Sequence, residues 1–161
     1  MKGVFLDLAS LDNSDLKLNQ LNDVLDEWDF YPHTKASELA ARLEGAEVAV
    51  SNKVVLSRET LAKADKLKLI CVAATGTNNI DLDAATAAGI VVAYTPEQNA
   101  LSVAELALGM MLALARKIVP ADQTTKAGEW KRRESTGIEL YGKNLGLVGL
   151  GRIGYRVGRR A

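Results

Sequence analysis

Three short stretches carry residue types that do chemistry. The most telling is Gly149-Leu-Gly-Arg-Ile-Gly154. It follows an apolar run, residues 145–148, that reads as a short buried strand, and it opens onto a helix. Strand, GxGxxG turn and helix N-terminus together form the phosphate-binding start of a dinucleotide site. Gly149, Gly151 and Gly154 permit the tight turn and the close approach of a pyrophosphate. Backbone N–H groups of Arg152 and Ile153 would meet it at the helix N-terminus. A full βαβ unit takes about 30 residues, with an acidic ribose partner about 20 residues further on. Only seven residues follow Gly154. The chain is therefore expected to hold neither, and to bind a dinucleotide poorly by itself.

The other stretches each follow a strand-like run: Ser51-Asn-Lys53, Ala74-Thr-Gly-Thr-Asn-Asn79, and Thr95-Pro-Glu-Gln-Asn99. Ligands of open parallel sheets bind beyond the carboxyl ends of the strands. Thr75-Gly-Thr77 offers backbone N–H groups for an anion. Lys53 adds a positive charge to that nest if the two loops converge. The same residues also suit a plain turn and helix cap, and spacing alone leaves both readings open. His33, the one histidine, lies after Pro32 and far from these strand ends, where it reads as a surface residue. Cys71 falls in an apolar run and reads as a buried, inert thiol. One cysteine and one histidine leave no metal cluster to expect.

The elements that must position these loops are legible from periodicity. Residues 4–8, 28–31, 47–51, 67–74 and 90–94 are strand-like and alternate with helix-like runs. Several are continuous apolar runs, which predicts burial on both faces and a parallel sheet with helices on each side. Ser57 is a good N-cap with Thr60 at the third helical position. Asp81 or Asp83 caps a short helix closed by Gly89. Residues 102–119 predict one long helix, apolar around most of its circumference and ended or kinked by Pro120. A second helix follows to about Gly128. Trp28, Trp130 and Tyr94 read as packing residues. The expected fold class is α/β: a flavodoxin-like, doubly wound parallel sheet over 1–97. Over 98–161 follow a long interdomain helix and the first strand and turn of a Rossmann domain.

Composition bounds the partners. Lys+Arg and Asp+Glu are both 20, which argues against a nucleic-acid binder. The terminal cluster Arg152, Arg156, Arg159 and Arg160 reads as the solvated face of a helix. No apolar stretch is long enough to span a bilayer and no signal peptide is visible, so the expected setting is the cytoplasm. An Asp at the end of the third strand would suggest a phosphoacceptor domain; Ser51-Asn-Lys53 stands there instead.

Taken in order, Ala73-Ala-Thr-Gly-Thr-Asn-Asn-Ile-Asp81, Thr95-Pro-Glu-Gln-Asn-Ala-Leu-Ser-Val-Ala-Glu105 and the terminal glycine turn resemble the D-isomer-specific 2-hydroxyacid dehydrogenases. The likeness covers the whole chain. Val4-Phe-Leu-Asp7 and Ser51-Asn-Lys-Val-Val55 are most similar to the glycerate dehydrogenase (hydroxypyruvate reductase) branch. Residues 99–130 look more like the phosphoglycerate dehydrogenase branch. The resemblance implies a two-domain enzyme of about twice this length, with NAD or NADP as cofactor and a small 2-keto or 2-hydroxy acid as substrate. It implies a homodimer formed through the helix at 102–119. It gives Lys53 and the backbone of Gly76 and Thr77 the substrate carboxylate, and puts Asn99 and Ser102 at the cleft. It gives Thr75, Arg152 and Ile153, with the three glycines of the turn, to the cofactor. The family's catalytic Arg, Glu and His match no residue here and are expected beyond residue 161. A non-enzymatic interaction module is the competing expectation, motivated by the apolar helix at 102–119.

Overall fold

A computed structural model describes residues 1–161. The chain forms two compact units, Met1–Pro96 and Glu97–Ala161. The first holds five strands, β1 (Lys2–Phe5), β2 (Glu27–Phe30), β3 (Val48–Ser51), β4 (Leu69–Val72) and β5 (Val91–Tyr94). All pair in parallel, in the order β2-β1-β3-β4-β5. This is the flavodoxin-like doubly wound order. Three short helices connect them: α1 (Leu39–Leu43), α2 (Arg58–Leu61) and α3 (Leu82–Ala87). The crossover from β1 to β2 is made by 3-10 turns at Leu8–Ser10 and Leu18–Asp23 instead of a full helix.

Register explains where the core sits. Val4, Ala49, Ile70 and Val92 face each other across four strands and so point to one side of the sheet. Leu39 and Leu43 of α1, Leu61 of α2 and Ala84 and Ala85 of α3 join them in a single buried cluster. The ends of these helices are local chemistry. Ser57 accepts the Thr60 N–H at 3.4 Å, Asp81 accepts the Ala84 N–H at 2.8 Å, and Gly89 stops α3 in the left-handed region at φ +70°.

The opposite face is built differently. Trp28 stacks on Phe30 at 5.9 Å and donates its indole N–H to the Leu21 carbonyl at 2.9 Å. Gly3 lies directly opposite Trp28, and a Cβ there would come within 2.6 Å of the indole and 2.8 Å of Leu25. This aromatic cluster covers only the β1–β2 end. Towards the other edge, Val48, Val50, Leu69 and Cys71 are half-buried and Val91 is 63% exposed. Burial on both faces, expected from the apolar runs, is thus reached fully on one face only. The reason is that α1, α2 and α3 all pack on the same side.

The second unit holds α4 (Ala100–Ala115), α5 (Ile118–Lys126) and α6 (Arg152–Gly158). The single long helix expected over 102–119 is two helices. Lys117 sits in the left-handed region at φ 51° and separates them. Pro120 explains the position of the break. Inside a continuous helix its ring would clash with the Arg116 carbonyl four residues back, and it has no N–H to give. In the first turn of α5 neither matters. The strand expected at 145–148 does not form. The five-stranded sheet is the only one, and Leu145, Leu147 and Val148 are exposed. Extended backbone without a neighbouring strand has nothing to hold it as a ladder. Trp130 and Tyr94, expected to pack, are also exposed. Trp130 follows the α5 terminus in a polar loop, and Tyr94 ends an edge strand.

Two outcomes follow from this packing. Gly3→Val should lower stability by about 1–3 kcal/mol through overlap with Trp28 and Leu25, measured by urea denaturation. An unchanged midpoint would contradict the close approach. Burial raises the Cys71 thiol above its ordinary range, which leaves less thiolate at neutral pH. Cys71 should therefore alkylate with iodoacetamide more slowly than free cysteine at pH 7, and an equal or faster rate would contradict it.

Candidate functional site

The loops that follow β3 and β4 converge. Asn79 donates its side-chain amide to the Val54 carbonyl at 3.0 Å. The Leu56 N–H bonds the Asn79 carbonyl at 2.8 Å, and the Asp81 N–H bonds the Leu56 carbonyl at 3.0 Å. Leu56 and Ile80 form a parallel bridge beyond the strands proper, and both side chains are buried. Lys53 and Thr75-Gly-Thr77 therefore lie on adjoining loops at one edge of the sheet.

The second loop leaves two backbone donors unused. Thr75 and Gly76 are exposed and Thr77 is half-buried. The Thr77 carbonyl closes the turn by accepting the Ile80 N–H at 3.0 Å. The N–H groups of Gly76 and Thr77 donate to no acceptor within the chain. A Cβ on Gly76 would press on the Asn78 side chain at 3.0 Å. Lys53 is exposed, and its ammonium forms no ion pair with any carboxylate of the chain. Two N–H groups without acceptors and an ammonium on the adjoining loop are groups that can bind a carboxylate.

The first loop is held from below by a group that sequence reasoning passed over. Asp7 is 4% exposed. Its Oδ1 accepts the Asn52 N–H at 2.9 Å and its Oδ2 accepts the Lys53 N–H at 2.6 Å. The Ser10 hydroxyl donates to Oδ2 at 3.3 Å, and the Asn52 amide reaches the Ser10 hydroxyl at 3.0 Å. Asn52, 8% exposed, is buried with it. The only local cue is an acid in an apolar run with a serine three residues on, which does not tell a buried acceptor from a solvated acid.

In the second unit, Asn99 takes the N-cap position of α4, where its carbonyl accepts the Val103 N–H at 2.9 Å. Ser102 is exposed on the first turn of that helix. The glycine turn has the geometry its sequence calls for. Gly149 lies at φ +91°, a Cβ on Gly154 would overlap the Gly149 carbonyl oxygen, and a Cβ on Gly151 would enter open space. So two glycines make the turn, and the middle one leaves room for a phosphate against the first turn of α6. Residues Arg152 and Ile153 begin that helix, whose first N–H groups have no intrahelical acceptor. The Arg152 guanidinium pairs with Glu97 at 3.0 Å. These residues fit the pyrophosphate of a dinucleotide. An apolar groove of about 1030 Å³, lined by Met111, Leu112, Ile138 and Leu140 among others, contains none of these candidates. His33 is exposed after β2; its carbonyl accepts a bond from Arg42.

A flavodoxin-like parallel sheet followed along the chain by a GxGxxG turn that opens a helix defines an α/β protein of the doubly wound class. The chain belongs to the D-isomer-specific 2-hydroxyacid dehydrogenase family, whose catalytic-domain profile matches residues 5–154. It is 48% identical over 125 residues to a D-3-phosphoglycerate dehydrogenase of Methanocaldococcus jannaschii, covering 77% of this chain and 24% of that protein. It is 44% identical over 124 residues to the D-3-phosphoglycerate dehydrogenase of Homo sapiens, covering 76% and 23%. Among solved structures it resembles D-lactate dehydrogenase from Aquifex aeolicus, complexed with NAD and lactic acid. There the TM-score is 0.82 at 29% identity, over 98% of this chain and 47% of that one. The matched region is thus about a quarter of the curated relatives' length. No helix is long and apolar enough to cross a membrane.

Asn79→Ala should cost about 0.5–1.5 kcal/mol, because the Val54 carbonyl loses the amide that ties the two loops together and keeps only the Ser51 hydroxyl at 3.2 Å. Chemical denaturation checks it, and an unchanged stability would mean the loops are not joined through this amide.

Proposed function

We propose that Met1–Pro96 is the substrate-binding domain of an NAD- or NADP-dependent D-2-hydroxyacid dehydrogenase, and that it grips the carboxylate of a small 2-keto or 2-hydroxy acid. One observation carries this reading: the Lys53 loop and the Thr75-Gly-Thr77 loop are joined at the ends of β3 and β4, and the Gly76 and Thr77 N–H groups have no acceptor within the chain. In this reading the Lys53 ammonium supplies charge and the two N–H groups supply direction. Asn99 and Ser102 are proposed substrate contacts on the family resemblance alone. The phosphoglycerate dehydrogenase names of the two curated relatives favour a glycerate-type acid, phosphorylated or not.

Thr75, Gly149, Gly151, Arg152, Ile153 and Gly154 are the residues proposed to hold the cofactor. Bound nicotinamide supplies the hydride that interconverts keto and hydroxy acid. The chain's own residues then bind and orient. Reduction of a ketone also needs a proton donor for the forming alkoxide and a cation to polarise the carbonyl. No residue of this chain stands in place for the family's Arg, Glu and His, and exposed His33 has no orienting carboxylate among its contacts. The 161-residue chain is therefore proposed to bind without turning over.

The competing reading, an association module, has its own support. Leu106, Met110 and Leu114 of α4 are exposed, and contiguous apolar surface of this kind favours self-association. A homodimer through 102–119 fits both readings, so a dimer in sedimentation supports either, and a strict monomer counts against the module.

Titration with hydroxypyruvate, followed by amide chemical shifts, separates the two. The expected result is weak binding, with a Kd on the order of millimolar, shifts at Gly76 and Thr77, and affinity weakened about ten-fold, still measurable, in Lys53→Ala. No shift at those amides would sink the carboxylate reading. NADH oxidation by the chain alone would sink the proposed inactivity.

A further inference from the structure

We propose that Asp7 is a positioning residue for the substrate carboxylate, acting through the backbone of Lys53; this rests on the carboxylate reading above. The two oxygens of one buried carboxylate take the N–H groups of two consecutive residues, Asn52 at 2.9 Å and Lys53 at 2.6 Å. Bonds to an ionised acceptor are the short, strong kind. Asp7 forms no ion pair, so its charge is met by these N–H groups and by the Ser10 hydroxyl. The donors lie on the loop just beyond β3, and the acceptor lies two residues beyond the end of β1. The sheet core therefore fixes the point from which the Lys53 side chain departs.

The division of labour within Lys53 is informative. Its N–H is tied down while its side chain is exposed and unpaired within the chain. A lysine held only at its ammonium would be neutralised by the fold, and one held nowhere would lose side-chain and backbone entropy on binding. Pinning the backbone and leaving the charge available spares part of that loss. A carboxylate suits the task better than an amide. Asparagine at position 7 offers one acceptor oxygen, and its NH2 would face one of the two N–H groups.

The test uses the full chain as wild type, Asp7→Asn, Lys53→Ala and the double variant. Amide hydrogen exchange is read without ligand, and affinity is read with hydroxypyruvate. Asp7→Asn is expected to lose about ten-fold protection or more at Asn52 and Lys53, while the Ile70 amide in the sheet keeps its rate. Its affinity should fall about ten-fold, and the double variant should bind no more weakly than Lys53→Ala alone. A loss from Asp7→Asn that persists in full on the Lys53→Ala background overturns the proposal, because Asp7 would then act through something other than Lys53. Unchanged exchange at Asn52 and Lys53 overturns it as well. If Asp7→Asn does not fold, Ser10→Ala replaces it; this variant keeps the carboxylate and removes only the hydroxyl bonds. The same coupling to Lys53, at smaller size, supports the proposal, and no coupling overturns it. Wild-type chain that fails to bind hydroxypyruvate at all overturns the carboxylate reading itself, a failure separate from wild type that binds while Asp7 and Lys53 act independently.

Discussion

Parallel pairing brings the C-terminal ends of β1, β3 and β4 to one edge of the sheet, and everything functional in the first unit depends on what happens there. Each strand must leave that edge in a loop whose backbone groups still need partners. The chain meets this need with side chains. Asp7 takes two N–H groups of the loop after β3, and Asn79 takes a carbonyl of the same loop. The two contacts hold the loop from opposite sides. What remains unpaired is the set of groups an anion can use: the Gly76 and Thr77 N–H groups and the Lys53 ammonium.

Much of this was legible in the sequence, for identifiable reasons. Buried strands announce themselves as apolar runs: β3, β4 and β5 lie within the expected segments, while β1 and β2 overlap theirs and begin two residues and one residue earlier. Helix ends announce themselves through Ser57, Asp81 and Gly89, because capping is short-range chemistry between residues three or four apart. The glycines of the terminal turn read correctly for the same reason. Contacts between distant residues were not legible. Asp7 bonds residues 45 and 46 positions away, and nothing in its own neighbourhood separates it from a solvated acid at the end of a strand. Asn79 looked like an ordinary turn residue. The pattern over 102–119 predicts a continuous helix because apolar periodicity carries across Lys117. Pro120 acts backwards, on the turn before it.

The two units differ in how well they satisfy themselves. The first buries one sheet face under three helices and caps part of the other with an aromatic cluster. The second keeps the local geometry of the glycine turn, with Gly149 at positive φ, while residues 145–148 expose their apolar side chains. Turn geometry is set by a few neighbouring residues, whereas a strand needs another strand. That contrast explains how a cofactor motif can be well formed locally and still be expected to bind weakly. Membership of the 2-hydroxyacid dehydrogenase family gives the turn its ancestry, and the loop pair beside the sheet carries the proposed binding function.

The most direct measurement is a crystal structure of the chain with oxamate, an unreactive 2-keto acid analogue. The account predicts its carboxylate bound between the Gly76 and Thr77 N–H groups and the Lys53 ammonium, with the Asp7 contacts to Asn52 and Lys53 intact. A carboxylate bound elsewhere, or a Lys53 loop released from Asp7 when the ligand is in place, would contradict it.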